Sequence, residues 1–205
     1  MHKRILPIVL VVLALVAGAC SGGDNDKALS EATLQGYLLS ADDLPPGFTA
    51  SEEEDDEEED DEEDTSCIGR NTGNVEPAAD TSAEFSNADN GQQISHELEA
   101  HEEGKAAESM AEGRQVLERC RTFEEELEGQ TIRGSLSPAD FPNLGDETVA
   151  FTLQAELAGI AVNAQFVAVR RGEVISVVSM IVPNAAVDRA VFEDVVRKAA
   201  DQLPA

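Results

Sequence analysis

The sequence predicts an α+β domain in which helices pack on one face of an antiparallel β-meander, carried behind a lipoprotein signal peptide. Three observations predict it. The last third alternates apolar and polar residues over three long runs joined by very short links, and strands linked so closely pair antiparallel. Helical periodicity is confined to separate stretches, which is the α+β pattern. The first twenty residues read as a membrane address rather than as part of the fold. The expected order of elements is β-β-α-β-β-β-β-α. At 205 residues with 41% hydrophobic side chains, the chain has the length and apolar content for one domain with one core.

Residues 1–19 form the signal peptide. Lys3 and Arg4 supply a short basic start, and the apolar run Ile5 to Val16 is broken only by Pro7. About a dozen residues is too short for a helical span, which needs ~20. Ala17, Gly18 and Ala19 are small, and Cys20 follows at once. This pattern resembles a bacterial lipobox, which implies diacylglyceryl addition to Cys20 and cleavage before it. One acyl chain holds only marginally, so a two-chain anchor makes attachment stable. Residues 20–27 are then a lipidated tether on the extracytoplasmic face of the cell membrane. Loss of Lys3 and Arg4 takes the formal charge from −28 to −30.

The domain is expected to span residues 28–205. Residues 28–39 carry apolar side chains at helical spacing and stop at Leu44-Pro45-Pro46-Gly47-Phe48, which cannot continue a helix. A short strand around Phe85, a turn cluster at 87–91 and the alternating run 92–101 predict a hairpin. His96 falls on its apolar side, as a partly buried structural residue. His101 falls on its wet side. Residues 103–124 repeat Ala106, Ala107, Met110, Ala111, Leu117 and Cys120 at steps that predict a helix. A strand at Ile132 to Leu136 follows. The meander then runs through Val149 to Leu157, Ile160 to Arg170 and Val174 to Val182, turning at Ala158-Gly159 and Arg171-Gly172-Glu173. The small side chains Ala164, Ala168 and Ser176 leave a space or fit the final helix. That helix, about 187–203, carries Val191, Phe192, Val195, Val196, Ala199 and Leu203 on one stripe.

Charge and cysteines bound the function. A formal charge of −28 argues against nucleic acid, which needs a basic surface. It also disfavours docking onto anionic headgroups. Residues 52–64 are thirteen consecutive carboxylates, expected as a disordered acidic insert over 50–66. Their functional reading is weak association with Ca²⁺ or other cations, but the run lacks the glycine turn and spaced ligands of a calcium site. With Cys20 lipidated, Cys67 and Cys120 remain, and in an oxidising compartment they read as one disulfide. The alternative is two unpaired buried thiols. No GxSxG, HExxH, Walker A or GxGxxG motif occurs. No enzymatic activity, cofactor or metal is expected. Asp146 and Glu147 beside Gly145 read as turn polarity.

LLSADDLPPGF (38–48), the Cys before a hairpin, the helix bearing a second Cys, LGDETVAF (144–151) and VAVRRGEVISVV (167–178) together form a recognisable series. The series resembles the actinobacterial lipoproteins and receptor-kinase ectodomains of the PknH-like extracellular sensor family, over roughly residues 28–205. Those domains commonly carry two disulfides, whereas here at most one can form, and no kinase or transmembrane helix follows. The resemblance implies a non-catalytic sensor-like domain that binds an envelope ligand or protein in a cleft beside the sheet. It marks no individual ligand residues. The alternative is a cell-envelope lipid carrier, holding acyl chains between sheet and helices.

Overall fold

The computed structural model describes residues 28–51, 75–127 and 130–204. Cys20, Cys67, the signal peptide and the acidic run lie outside them. One eight-stranded antiparallel sheet organises everything else, in the order β1-β2-β3-β8-β7-β6-β5-β4. Its strands are β1 Phe48–Ala50, β2 Ala79–Asn87, β3 Gln92–Ala100, β4 Thr122–Leu127, β5 Gln130–Pro138, β6 Glu147–Leu157, β7 Ile160–Arg171 and β8 Val174–Pro183. Three helices accompany it: α1 Glu31–Leu34, α2 Lys105–Arg119 and α3 Arg189–Gln202. The α+β class and the meander are as the sequence predicts.

The turns explain the register. Leu157 pairs with Ile160 across Ala158 and Gly159, whose φ values of 51° and 82° are both positive. Two successive positive φ angles suit a two-residue hairpin loop, whose twist matches that of the strands. The β2–β3 turn closes where the Asn87 carbonyl accepts from Gly91 N–H at 2.8 Å. α3 begins where the Asp188 carboxylate accepts from the amides of Ala190 and Val191, which satisfies orphan donors of its first turn.

Residue parity along β8 places the helices. Val174, Val178, Met180 and Val182 pack into the large core with Leu34 and with Phe192, Val195, Val196 and Ala199 of α3. Ile175, with Val177 beside it, packs instead against Ala106 and Met110 of α2. Neighbouring residues of a strand point to opposite faces. So α1 and α3 cover a front face, and α2 covers the back. This differs from the expectation that the helices share one face. The cause is that β7 and β8 are apolar on both sides, and each side needs a cover. Small residues divide likewise: Ala168 lies against the α2 cluster, whereas Ser176 is bonded on the front.

Two strands go beyond the expected order. β1 is a three-residue edge on β2, formed straight after Pro45-Pro46-Gly47. β4 takes residues 122–127, of which the sequence reading gave 122–124 to the helix. α2 stops at Arg119, and β4 pairs with β5 in register from Thr122–Ser135 to Leu127–Gln130. The Phe123 ring lies over Gly134, where an added Cβ would stand 2.5 Å from the ring edge. The first helix is also shorter than 28–39, giving way to 3-10 turns at Gln35–Tyr37 and Ala41–Asp43.

Candidate functional site

Among the described residues, the diagonal placement of helices leaves two half-faces without a helix over them. On the back, β2 and β3 present Asp80, Ser82, Glu84 and Ser86 opposite Glu99, Glu97, Ser95 and Gln93. Where this face meets β8 it forms an open depression of about 100 Å³, whose lining joins Ser51, Glu84, Gln93, Ser95 and Ser179 to Phe85, Ile94 and Ile181. The Ser95 and Ser179 hydroxyls are 2.7 Å apart. Hydroxyls, one amide and one carboxylate form a hydrogen-bonding surface suited to a small polar group. The front half-face carries a second depression, at Thr131, Arg133, Glu156, Ala158 and Gly159. There Arg133 makes two hydrogen bonds to Glu124, at 2.8 and 3.1 Å.

The sheet–helix interfaces are filled. Phe192, Val195, Val196 and Ala199 are fully buried against Val167, Val178 and Met180. Val116 and Cys120 pack on Leu136, with Phe151 and Leu153 beside them. The Phe151 and Phe166 rings stack at 4.7 Å across β6 and β7. An acyl carrier needs an apolar cavity of several hundred Å³. Both depressions described here are open, and polar groups line each of them: Ser51, Glu84, Gln93 and Ser95 in the first, Thr131, Arg133 and Glu156 in the second.

Each residue singled out from sequence has a definite place. His96 is fully buried on the front. Its Nδ1 accepts from Leu39 N–H at 3.0 Å, and its Nε2 lies 2.9 Å from Ser176 Oγ. Since Nδ1 accepts, the proton sits on Nε2, which therefore donates to the serine. A serine-activating base needs the reverse, so this Ser–His pair is a clamp. Burial pushes the His96 ring from 6.5 down to about 4. His101 is also buried, just past β3, where its backbone N–H donates to the Glu173 carbonyl at 2.9 Å, although the alternation predicts a wet side there. Its Nε2 pairs with Glu99 at 2.8 Å.

Asp146 accepts from Gly172 N–H at 2.8 Å and so braces the β7–β8 turn. Glu147 bridges Arg114 of α2 and Arg170 of β7. Both carboxylates are thus structural. Cys120 is buried at the end of α2, on the side the periodicity indicates. Among the described residues no three His, Cys, Asp or Glu side chains are grouped to hold a metal ion. No described helix is long and apolar enough to cross a membrane. Sequence reasoning missed the Ser95–Ser179 pair. Its signal was present: Ser176 and Ser179 interrupt an apolar strand at odd spacing and therefore serve opposite faces.

No family model matches the chain, and no curated protein does. Among solved structures, the crystal structure of the extracellular domain of PknH from Mycobacterium tuberculosis matches with a TM-score of 0.61 and 13% identity. The match covers 86% of this chain and 97% of that one. The chain is therefore similar in fold, over most of its length, to that extracellular domain.

Proposed function

We propose that the protein is a lipid-anchored, extracytoplasmic binding module of sensor type, without catalysis. The observation that carries this is the fold likeness to an extracellular domain across nearly that domain's full length. The leader ending at Cys20 supports the same compartment and supplies the anchor. The ligand or partner meets the back face over β2, β3 and β8, where no helix among the described residues lies above the polar groups. A Cys67–Cys120 disulfide belongs to this reading. A lipid-carrier role has no observation in its favour.

The anchor is tested by fractionation. The full chain, expressed in a bacterium that processes lipoproteins, should pellet with membranes and carry a modified amino-terminal Cys20. Cys20→Ala should stay unprocessed or leave the membrane fraction. A Cys20→Ala protein that fractionates and migrates like the parent would falsify the anchor. Binding is tested with the chain from residue 28 onward, since Leu34, Leu39, Leu44 and Phe48 belong to the core. Envelope extract should raise its Tm, and Ser95→Ala/Gln93→Ala should remove the shift. An unchanged Tm with every fraction counts against a binding role.

A further inference from the structure

We propose that residues 28–44 form an acid-sensitive latch, held on the sheet by His96 and released at low pH while the central strands stay folded. The geometry is specific. The segment's inner side is Leu34, Leu39 and Leu44, all buried in the front core. Its polar attachment deep in that core is the bond from Leu39 N–H to His96 Nδ1 at 3.0 Å. A neutral imidazole accepts there. An imidazolium carries a proton on both nitrogens, so Nδ1–H would face the Leu39 N–H, donor against donor. On the other side Nε2 is bonded to Ser176 Oγ at 2.9 Å, which fixes the ring plane and blocks a flip to another partner. The segment is also tied where Lys198 Nζ donates to the Asp43 carbonyl at 2.8 Å and where the Gln202 amide donates to the Tyr37 and Leu38 carbonyls, and Asp43 is held below the usual carboxylate range by the Ser40 hydroxyl and amide.

The elements packed around His96 carry other charges. The latch brings Glu31, Asp42 and Asp43. α3 brings Asp194, Arg197, Lys198 and Asp201, and β3 itself brings Glu97. β2 places Ala83 opposite the ring, and β8 places Val178. Burial is what moves the ring's titration, down from 6.5 to about 4. The sign follows. The released segment exposes the ring, which binds a proton more readily, so falling pH favours release. Between pH 7 and pH 5 the opening equilibrium should rise about twentyfold from this one group. On the anchored reading above, release adds up to about 55 Å of extended chain to the tether. The latch itself does not depend on the anchor, so each can fail separately.

Hydrogen exchange by mass spectrometry on the full chain, corrected for the intrinsic pH dependence of exchange, tests it. Peptides covering 34–44 should lose protection about twentyfold from pH 7 to pH 5, while β7 and β8 peptides keep theirs. His96→Asn offers a non-titrating acceptor at the Nδ1 position and should abolish that loss. Simultaneous loss over 34–44 and β8, or the same pH slope in His96→Asn, overturns the latch. If His96→Asn fails to fold, the NMR titration of the His96 ring in the parent decides. Its midpoint must coincide with loss of Leu39 protection, and a ring that titrates while Leu39 stays protected overturns the proposal.

Discussion

Two residues with constrained backbones show how closely single positions are specified. Gly145 passes so near β7 that a Cβ there would lie 2.4 Å from the Arg170 carbonyl oxygen. This explains the glycine beside Asp146 and Glu147 better than any chemistry of those carboxylates does. Ala158 is the opposite case, an alanine where the turn favours another residue. Its φ of 51° lies in the left-handed region, which costs an L-residue with an ordinary Cβ roughly 1 kcal/mol. Asn tolerates that region, and Asn-Gly is a strongly favoured pair for this hairpin loop. Ala158→Asn should therefore stabilise the domain by about 0.5–1 kcal/mol, read as a higher midpoint in urea with unchanged slope. No gain, or a loss, would mean that this turn is not held with both central φ angles positive.

At the scale of elements, α2 shows what the sequence makes legible and what it hides. Its periodicity correctly turns Ala106, Met110 and Cys120 toward the sheet, and all three are buried. Its face of the sheet was not legible, because a stripe says that a helix is covered and not from which side. That information lay in β8, where Ile175 and Val178 each need an apolar cover on opposite sides. β4 was hidden for a different reason. An edge strand takes its register from one neighbour, and its own residues Thr122 to Leu127 show little alternation. The polar back face was hidden too, since its Ser and Gln side chains look like any solvated strand until their uncovered side is known. Met110 gives the test of α2. Met110→Ala removes a side chain packed on Ile175 and should cost about 2–4 kcal/mol. The same change at an exposed α2 position such as Glu118 should cost under about 0.5 kcal/mol. Equal effects from chemical denaturation would show that α2 does not bury this stripe.

Over the whole molecule, the dominant stress is charge, with 42 acidic residues against 14 basic ones and thirteen carboxylates in succession between Ser51 and Cys67. Net charge this far from zero repels itself and opposes compaction. A covalent closure near the run would limit how far that repulsion can separate the elements on either side. The ends of the segment make such a closure reachable. Val75 N–H donates to the Glu112 carboxylate of α2 at 3.2 Å. Cys120 lies eight positions further along the same stretch, about 12 Å at helical rise. Cys67 is eight residues before Val75 and can reach up to about 28 Å when extended. The bridge proposed above would close 54 residues from Cys67 to Cys120 and, by loop entropy, stabilise by about 4 kcal/mol. Cys67→Ser should lose about that amount in urea denaturation, and reductant should bring the parent to the same midpoint while leaving Cys67→Ser unmoved. Raising the salt should narrow the gap, because screening weakens the repulsion that the closure opposes. A parent protein that ignores reductant and shows two titratable thiols beyond Cys20 would remove the bridge, and with it this account of how so acidic a chain stays folded.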